Sequence, residues 1–135
     1  MYRDLTVKLE KWKENKYRKP LIIRGARQVG KTYLVNEFAK NNYENIAYFN
    51  FDNDEELKNI FEYTKDPNRL ISQLSIISEK NITPGKTLIF FDEIQECSNA
   101  LNSLKYFYEV ANEFHIIAAG SLLGIKLSNT SFPVR

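Results

Sequence analysis

The sequence predicts an α/β fold: a parallel sheet with helices on both faces. Three observations predict it. Four short apolar segments alternate with stretches whose apolar residues recur at helical spacing. The third segment, Thr87 to Phe91, is apolar on both faces, as a strand buried inside a parallel sheet must be. Asn41-Asn42 and Pro84-Gly85 fall between segments, where breaks are needed.

Taken in order, Leu5, Leu9 and Trp12 at i, i+4, i+7 predict an amphipathic helix from Asp4 to Asn15. Pro20 opens the first strand, Leu21 to Ile23, and Gly25 ends it. Leu34, Val35, Phe38 and Ala39 mark the inner stripe of a helix over Lys31 to Lys40, broken at Asn41-Asn42. The second strand is expected at Ile46 to Phe51. Asp52-Asn53-Asp54 starts a helix carrying Leu57, Ile60 and Phe61 inward. Asp66-Pro67 starts another, since Asp caps well and Pro fits the first turn; Leu70, Ile71, Leu74 and Ile77 form its core face. Pro84-Gly85 is a turn before the third strand. Ser98 is expected to cap a helix with Leu101, Leu104, Tyr108 and Ala111 on its stripe. The fourth strand runs from His115 to Ala119 and ends at Gly120-Ser121.

Composition bounds the answer. The 135 residues suit one domain, 43% of them are apolar, and 27% are charged. One Cys excludes an intrachain disulfide and favours a reducing compartment. No apolar run approaches the ~20 residues that span a bilayer. Met1-Tyr2-Arg3-Asp4 has no signal-peptide character. A cytoplasmic chain with no membrane partner is expected. Net charge is only +2, yet the first 31 residues hold ten basic and three acidic side chains. A basic end beside an acidic body points to an anion near the N-terminal third, or to a solvated helix face at Lys8, Lys11, Lys13, Lys16 and Lys19.

One motif carries chemistry. Gly25-Ala26-Arg27-Gln28-Val29-Gly30-Lys31-Thr32 fits G-x-x-x-x-G-K-[ST] at every fixed position, with an apolar strand before it and an amphipathic helix after it. Gly25 and Gly30 let the backbone curl so that successive N–H groups face phosphate oxygens. The helix start presents its positive dipole end to the same anion. Lys31 is expected to reach the β- and γ-phosphates of ATP and Thr32 to hold Mg²⁺, with the loop through Tyr33 forming the nucleotide cradle. Further on, Leu88-Ile89-Phe90-Phe91-Asp92-Glu93 is a buried strand ending in two carboxylates. Asp92 is expected to hold Mg²⁺ through water. Glu93 is expected to polarise a water for in-line attack on the γ-phosphate.

With these residues the chain resembles an AAA-type P-loop ATPase. Lys19 through Thr32, with Asp92-Glu93-Ile94-Gln95, is similar to a prokaryotic group in which this ATPase domain precedes a C-terminal domain of poorly defined role. The resemblance spans nearly the whole chain. It implies the P-loop NTPase sheet order 5-1-4-3-2, and gives Ser121 the position that senses the γ-phosphate. It also implies a fifth strand and a helical lid. Neither is recognisable before Arg135, so the expected sheet order is 1-4-3-2, in a single core over 1–135 that is incomplete at its C-terminus. Self-association through the uncovered first strand is a further expectation.

Other residues read as structural. His115 opens a strand, and Cys97 has no paired Cys or His signature. Arg27 and Gln28, in the variable part of the loop, are expected to face solvent. Most Tyr and Phe fall on inward stripes, which favours packing over nucleic-acid stacking. Two functions remain open. One is an ATPase that drives or switches a partner. The other is a nucleotide-dependent interaction module, DNA-associated through its basic end, with little hydrolysis. No Asn-Lys-x-Asp motif supports a GTPase, and no Arg-rich lid segment supports a small-molecule kinase.

Overall fold

Side chains alternate across each strand, and here both alternating sets are apolar, so both faces of the sheet must be covered. The computed structural model describes residues 2–25 and 29–121. Its elements are α1 (Tyr2–Glu14), β1 (Leu21–Gly25), α2 (Val29–Asn42), β2 (Asn45–Asn50), α3 (Glu55–Tyr63), α4 (Pro67–Ser78), β3 (Thr87–Asp92), α5 (Ser98–Val110) and β4 (His115–Ser121). A single 3-10 turn, Ile94–Glu96, joins β3 to α5. The four strands form one parallel sheet in the order β1-β4-β3-β2. This is the expected 1-4-3-2 order of a P-loop NTPase. Among the described residues β1 pairs only with β4. The segment after Ser121, on which the expectation of a missing fifth strand and lid rests, lies outside the described residues.

Two apolar layers flank the sheet. Ile22, Ala47, Phe49, Ile89, Phe91, Ile116 and Ala118 point to one side and meet α3, α4 and α5 through Leu57, Phe61, Leu70, Leu74, Leu101, Leu104 and Phe107. Leu88, Phe90, Ile117 and Ala119 point to the other and meet α2 and α1 through Leu34, Val35, Phe38 and Leu9. Phe51, Phe61 and Phe91 pack edge to face, with ring centroids 5.4, 5.5 and 5.6 Å apart. Such pairs add about 0.5–1.5 kcal/mol each beyond the area they bury.

The helix starts follow their capping chemistry. Asp54 accepts from the Leu57 N–H at 3.0 Å, and Asp66 accepts from the Asn68 N–H ahead of Pro67. Ser98, expected as a cap, is instead the first residue of α5. The Cys97 carbonyl already accepts from the N–H groups of Ala100 and Leu101 at 3.1 Å, which moves the cap one position earlier. Most described Tyr and Phe residues pack inward as expected, but the two types divide. Phe38, Phe49, Phe51, Phe61, Phe90, Phe91 and Phe107 are buried, but Tyr17, Tyr33, Tyr48, Tyr63 and Tyr106 are exposed. A phenol hydroxyl needs water or a partner, which the apolar layers do not provide.

α1 is tied to the body by its C-terminal end. The Trp12 indole donates to the Lys19 carbonyl at 2.6 Å. Arg18 Nη2 donates to the Asn112 carbonyl, and Asn112 Nδ2 returns a bond to the Lys16 carbonyl, each at 3.2 Å. Lys8, Lys11, Lys16 and Lys19 are exposed, interspersed with exposed Asp4, Glu10 and Glu14. Among the described residues, no helix is long and apolar enough to cross a membrane.

Candidate nucleotide site

In a parallel sheet the strand ends that share a direction also share an edge, and ligands sit beyond the carboxyl ends. Register places Gly25 beside Ser121 and Asn50 beside Asp92 at that edge. α2 begins at Val29, two residues before the expected Lys31, so Gly30, Lys31 and Thr32 all lie in its first turn. The N–H groups of a first helical turn have no partner within the helix and face outward along its axis. Tyr33 is exposed one residue further. Ala26, Arg27 and Gln28 lie outside the described residues, and so does the expectation that the last two face solvent.

Strand alternation aims Asp92. Leu88 and Phe90 face the α2 side, and Asp92 continues that set to the strand end. β4 separates β1 from β3 in the sheet, yet the Thr32 hydroxyl donates to Asp92 Oδ2 at 3.3 Å. The Tyr48 hydroxyl donates to the same oxygen at 2.7 Å. Tyr48 pairs with Phe90 in register and contacts its ring at a centroid distance of 5.3 Å, so it lies on the same face. Partial burial and the bond to Asp92 push the Tyr48 phenol up to about 12, which keeps its proton in place as a donor. Asp92 Oδ1 accepts from the Glu93 N–H at 2.9 Å.

Glu93 adopts the left-handed conformation, with φ 53° and ψ 45°. That region is sparsely used by residues with a Cβ and costs roughly 1 kcal/mol. It turns the chain sharply out of β3 into the 3-10 turn. Gln95 Nε2 then donates to Glu93 Oε1 at 2.8 Å, while Gln95 Oε1 accepts from the Ser121 N–H at 3.2 Å. Lys31 Nζ donates to the Gly120 carbonyl at 3.3 Å. Ser121, expected just after the fourth strand, is the last residue within it.

The geometry thus gathers Gly25, Gly30, Lys31, Thr32, Asp92, Glu93 and Ser121 at one edge of the sheet. Sequence reasoning missed two residues there, Tyr48 and Gln95. The period-2 pattern of β2 shows that Tyr48 faces away from Ala47 and Phe49, but not that it stands opposite β3. Gln95 was visible beside the acids, but its second partner belongs to β4.

Two residues set aside as structural are enclosed. His115 Nδ1 and the Tyr43 hydroxyl are 2.7 Å apart, and the Trp12 and Tyr43 rings meet the imidazole edge-on. Burial, with lesser contributions from Arg18 and Lys13, lowers the imidazole to about 4. Burial also pushes the Cys97 thiol up, which disfavours a nucleophile.

A magnesium ion prefers oxygen donors and keeps several waters, binding one or two protein oxygens plus phosphate. The Thr32 hydroxyl and the Asp92 carboxylate form such a donor pair. Among the described residues no three His, Cys, Asp or Glu side chains cluster into a protein-only metal cage. No curated protein matches the chain. A family model described as an AAA domain matches residues 17–134, so the chain belongs to that family of nucleotide-binding, ATPase-like domains.

Proposed function

We propose that the chain binds ATP with Mg²⁺ at this edge and hydrolyses it to drive or switch a partner. The observation that carries the reading is the Thr32 hydroxyl within hydrogen-bond distance of the Asp92 carboxylate, across an intervening strand. A helix-start hydroxyl and a strand-end carboxylate converging on one point suit a cation that also binds phosphate.

In this reading, N–H groups of the loop from Gly25 to Gly30 and of the first turn of α2 bind phosphate oxygens. Lys31 exchanges its Gly120 carbonyl for the β- and γ-phosphates. Thr32, and Asp92 through water, would hold Mg²⁺, which would supply positive charge to offset that of the phosphates. Glu93 accepts a proton from a water as its oxygen attacks the γ-phosphorus in line. The bond from that phosphorus to the bridging oxygen breaks, ADP leaves with the electron pair, and the proton passes from Glu93 to solvent. Ser121, at the end of β4, reads the γ-phosphate. Burial of Phe90 and Phe91 beneath Asp92 fixes the strand end, so the polar groups are oriented before nucleotide arrives.

The test pairs two variants. Lys31→Ala removes a charge-assisted contact, about 1.5–3 kcal/mol, and should weaken binding of a slowly hydrolysed ATP analogue roughly ten- to a hundredfold in calorimetry. Glu93→Gln should lose turnover while keeping affinity. Equal affinity in the wild type and Lys31→Ala would sink the binding site. Unchanged turnover in Glu93→Gln would remove Glu93 as the base.

A further inference from the structure

Gln95 is outside the phosphate-binding motif, and the hydrolysis chemistry does not itself call for an amide at that position. Both ends of its side chain are nevertheless engaged at the site: Nε2 with Glu93 Oε1 at 2.8 Å, and Oε1 with the Ser121 N–H at 3.2 Å. A backbone N–H only donates and an ionised carboxylate only accepts, so the two partners together dictate which way round the amide sits. Asn at this position would be one methylene short of spanning them. A Glu would set a second carboxylate against Glu93.

The turn carrying Gln95 is itself anchored. Ile94 is fully buried in the apolar layer, and the Glu96 N–H donates back to the Glu93 carbonyl at 3.1 Å. The Glu93 backbone is held in the left-handed region, and its N–H is held by Asp92. The Gln95 amide contacts the Glu93 carboxylate directly.

We propose that Gln95 is a positioning residue whose amide clamps the Glu93 carboxylate to the end of β4, so that the base and the strand carrying Ser121 keep one geometry. The inference rests on Glu93 being the base in the ATPase reading, and adds how that base is held and to what it is coupled. Losing the Gln95 contact removes one restraint on that carboxylate, and a misplacement of about 1 Å costs up to about a hundredfold in rate.

The experiment uses the full chain with Gln95→Ala and Gln95→Glu. In steady-state ATP hydrolysis, kcat should fall about ten- to a hundredfold in both, with KM and the thermal midpoint close to wild type. A fall in kcat with KM held is what a merely structural role would not produce. A second readout is independent of turnover: the backbone amide resonance of Ser121 in ¹⁵N spectra. Glu93→Ala should shift that resonance in the wild-type background and leave it in place when Gln95 is already Ala. The clamp is overturned if Gln95→Ala keeps or raises kcat, or if the Ser121 response to Glu93→Ala persists without Gln95. The two readings fail separately. A wild type that hydrolyses ATP, with Glu93→Gln inactive and Gln95→Ala normal, keeps the base and removes the clamp. A wild type without turnover, whose Ser121 response still requires Gln95, removes the ATPase and keeps the coupling.

Discussion

The Tyr48 hydroxyl sits 2.7 Å from Asp92 Oδ2, the same carboxylate oxygen that accepts from Thr32. Tyr48 comes from β2 and Thr32 from α2, so two separate elements hold one oxygen in place. Tyr48→Phe keeps the ring contact with Phe90 and removes only the hydroxyl. A hydrogen bond of this kind contributes about 0.5–1.5 kcal/mol, so Mg²⁺-dependent affinity for an ATP analogue should fall roughly two- to tenfold. Affinity measured without Mg²⁺ should change less. Equal losses with and without the metal would mean that Tyr48 does not act through Asp92.

The backbone at Glu93 makes an opposite pair of predictions for stability and activity. Its φ of 53° suits glycine better than any residue with a Cβ. Glu93→Gly should therefore be more stable than Glu93→Ala by about 1 kcal/mol, while both lose turnover. Glu79, the left-handed cap of α4, offers a control away from the site, with φ 57°. Glu79→Gly should stabilise by a similar amount and leave hydrolysis intact. Denaturant midpoints decide both. If the Gly and Ala variants at position 93 unfold together, the conformation there is not strained.

His115 makes stability depend on acidity. Burial holds its imidazole down to about 4 in the folded chain, against an ordinary value of 6.5. As pH falls through about 6.5 the unfolded chain takes up a proton that the folded chain refuses until about 4. The stability tied to neutral His115 is thus complete above about 6.5 and is lost as pH falls toward 4. His115→Gln removes the titration. The stability difference between about pH 7.5 and pH 5 should shrink in that variant relative to wild type. An unchanged difference would show that other groups carry the acid sensitivity.

Phe91 is the packing hub under the strand end, in contact with the rings of Phe49, Phe51 and Phe61. It is fully buried. Phe91→Ala should cost about 3–5 kcal/mol in unfolding free energy. Phe91→Leu keeps most of the volume and should cost less than half of that. Similar losses from the two would show that the surrounding rings collapse into the space.

The sequence by itself determined the order of elements, the parallel sheet and the position of the glycine-rich motif between β1 and α2. Each depends on neighbours in the chain: Leu57 and Phe61 on one helix face, Asp66-Pro67 at a helix start, Gly30-Lys31-Thr32 after an apolar strand. It also named Asp92 and Glu93, because an apolar strand ending in two acids stands out in one dimension. Tertiary structure alone decided what surrounds them. Tyr48 meets Asp92 only because β2 pairs with β3 in the register that sets Asn50 beside Asp92. Gln95 reaches Ser121 only because β4 lies between β1 and β3. Ser98 lost its expected place at the helix cap to a turn that begins with a left-handed Glu93. Local propensity and periodicity are properties of a few consecutive residues and can be read along the chain. Strand register and the meeting of distant side chains are set by how two apolar layers close over the sheet, and that balance involves all of them at once.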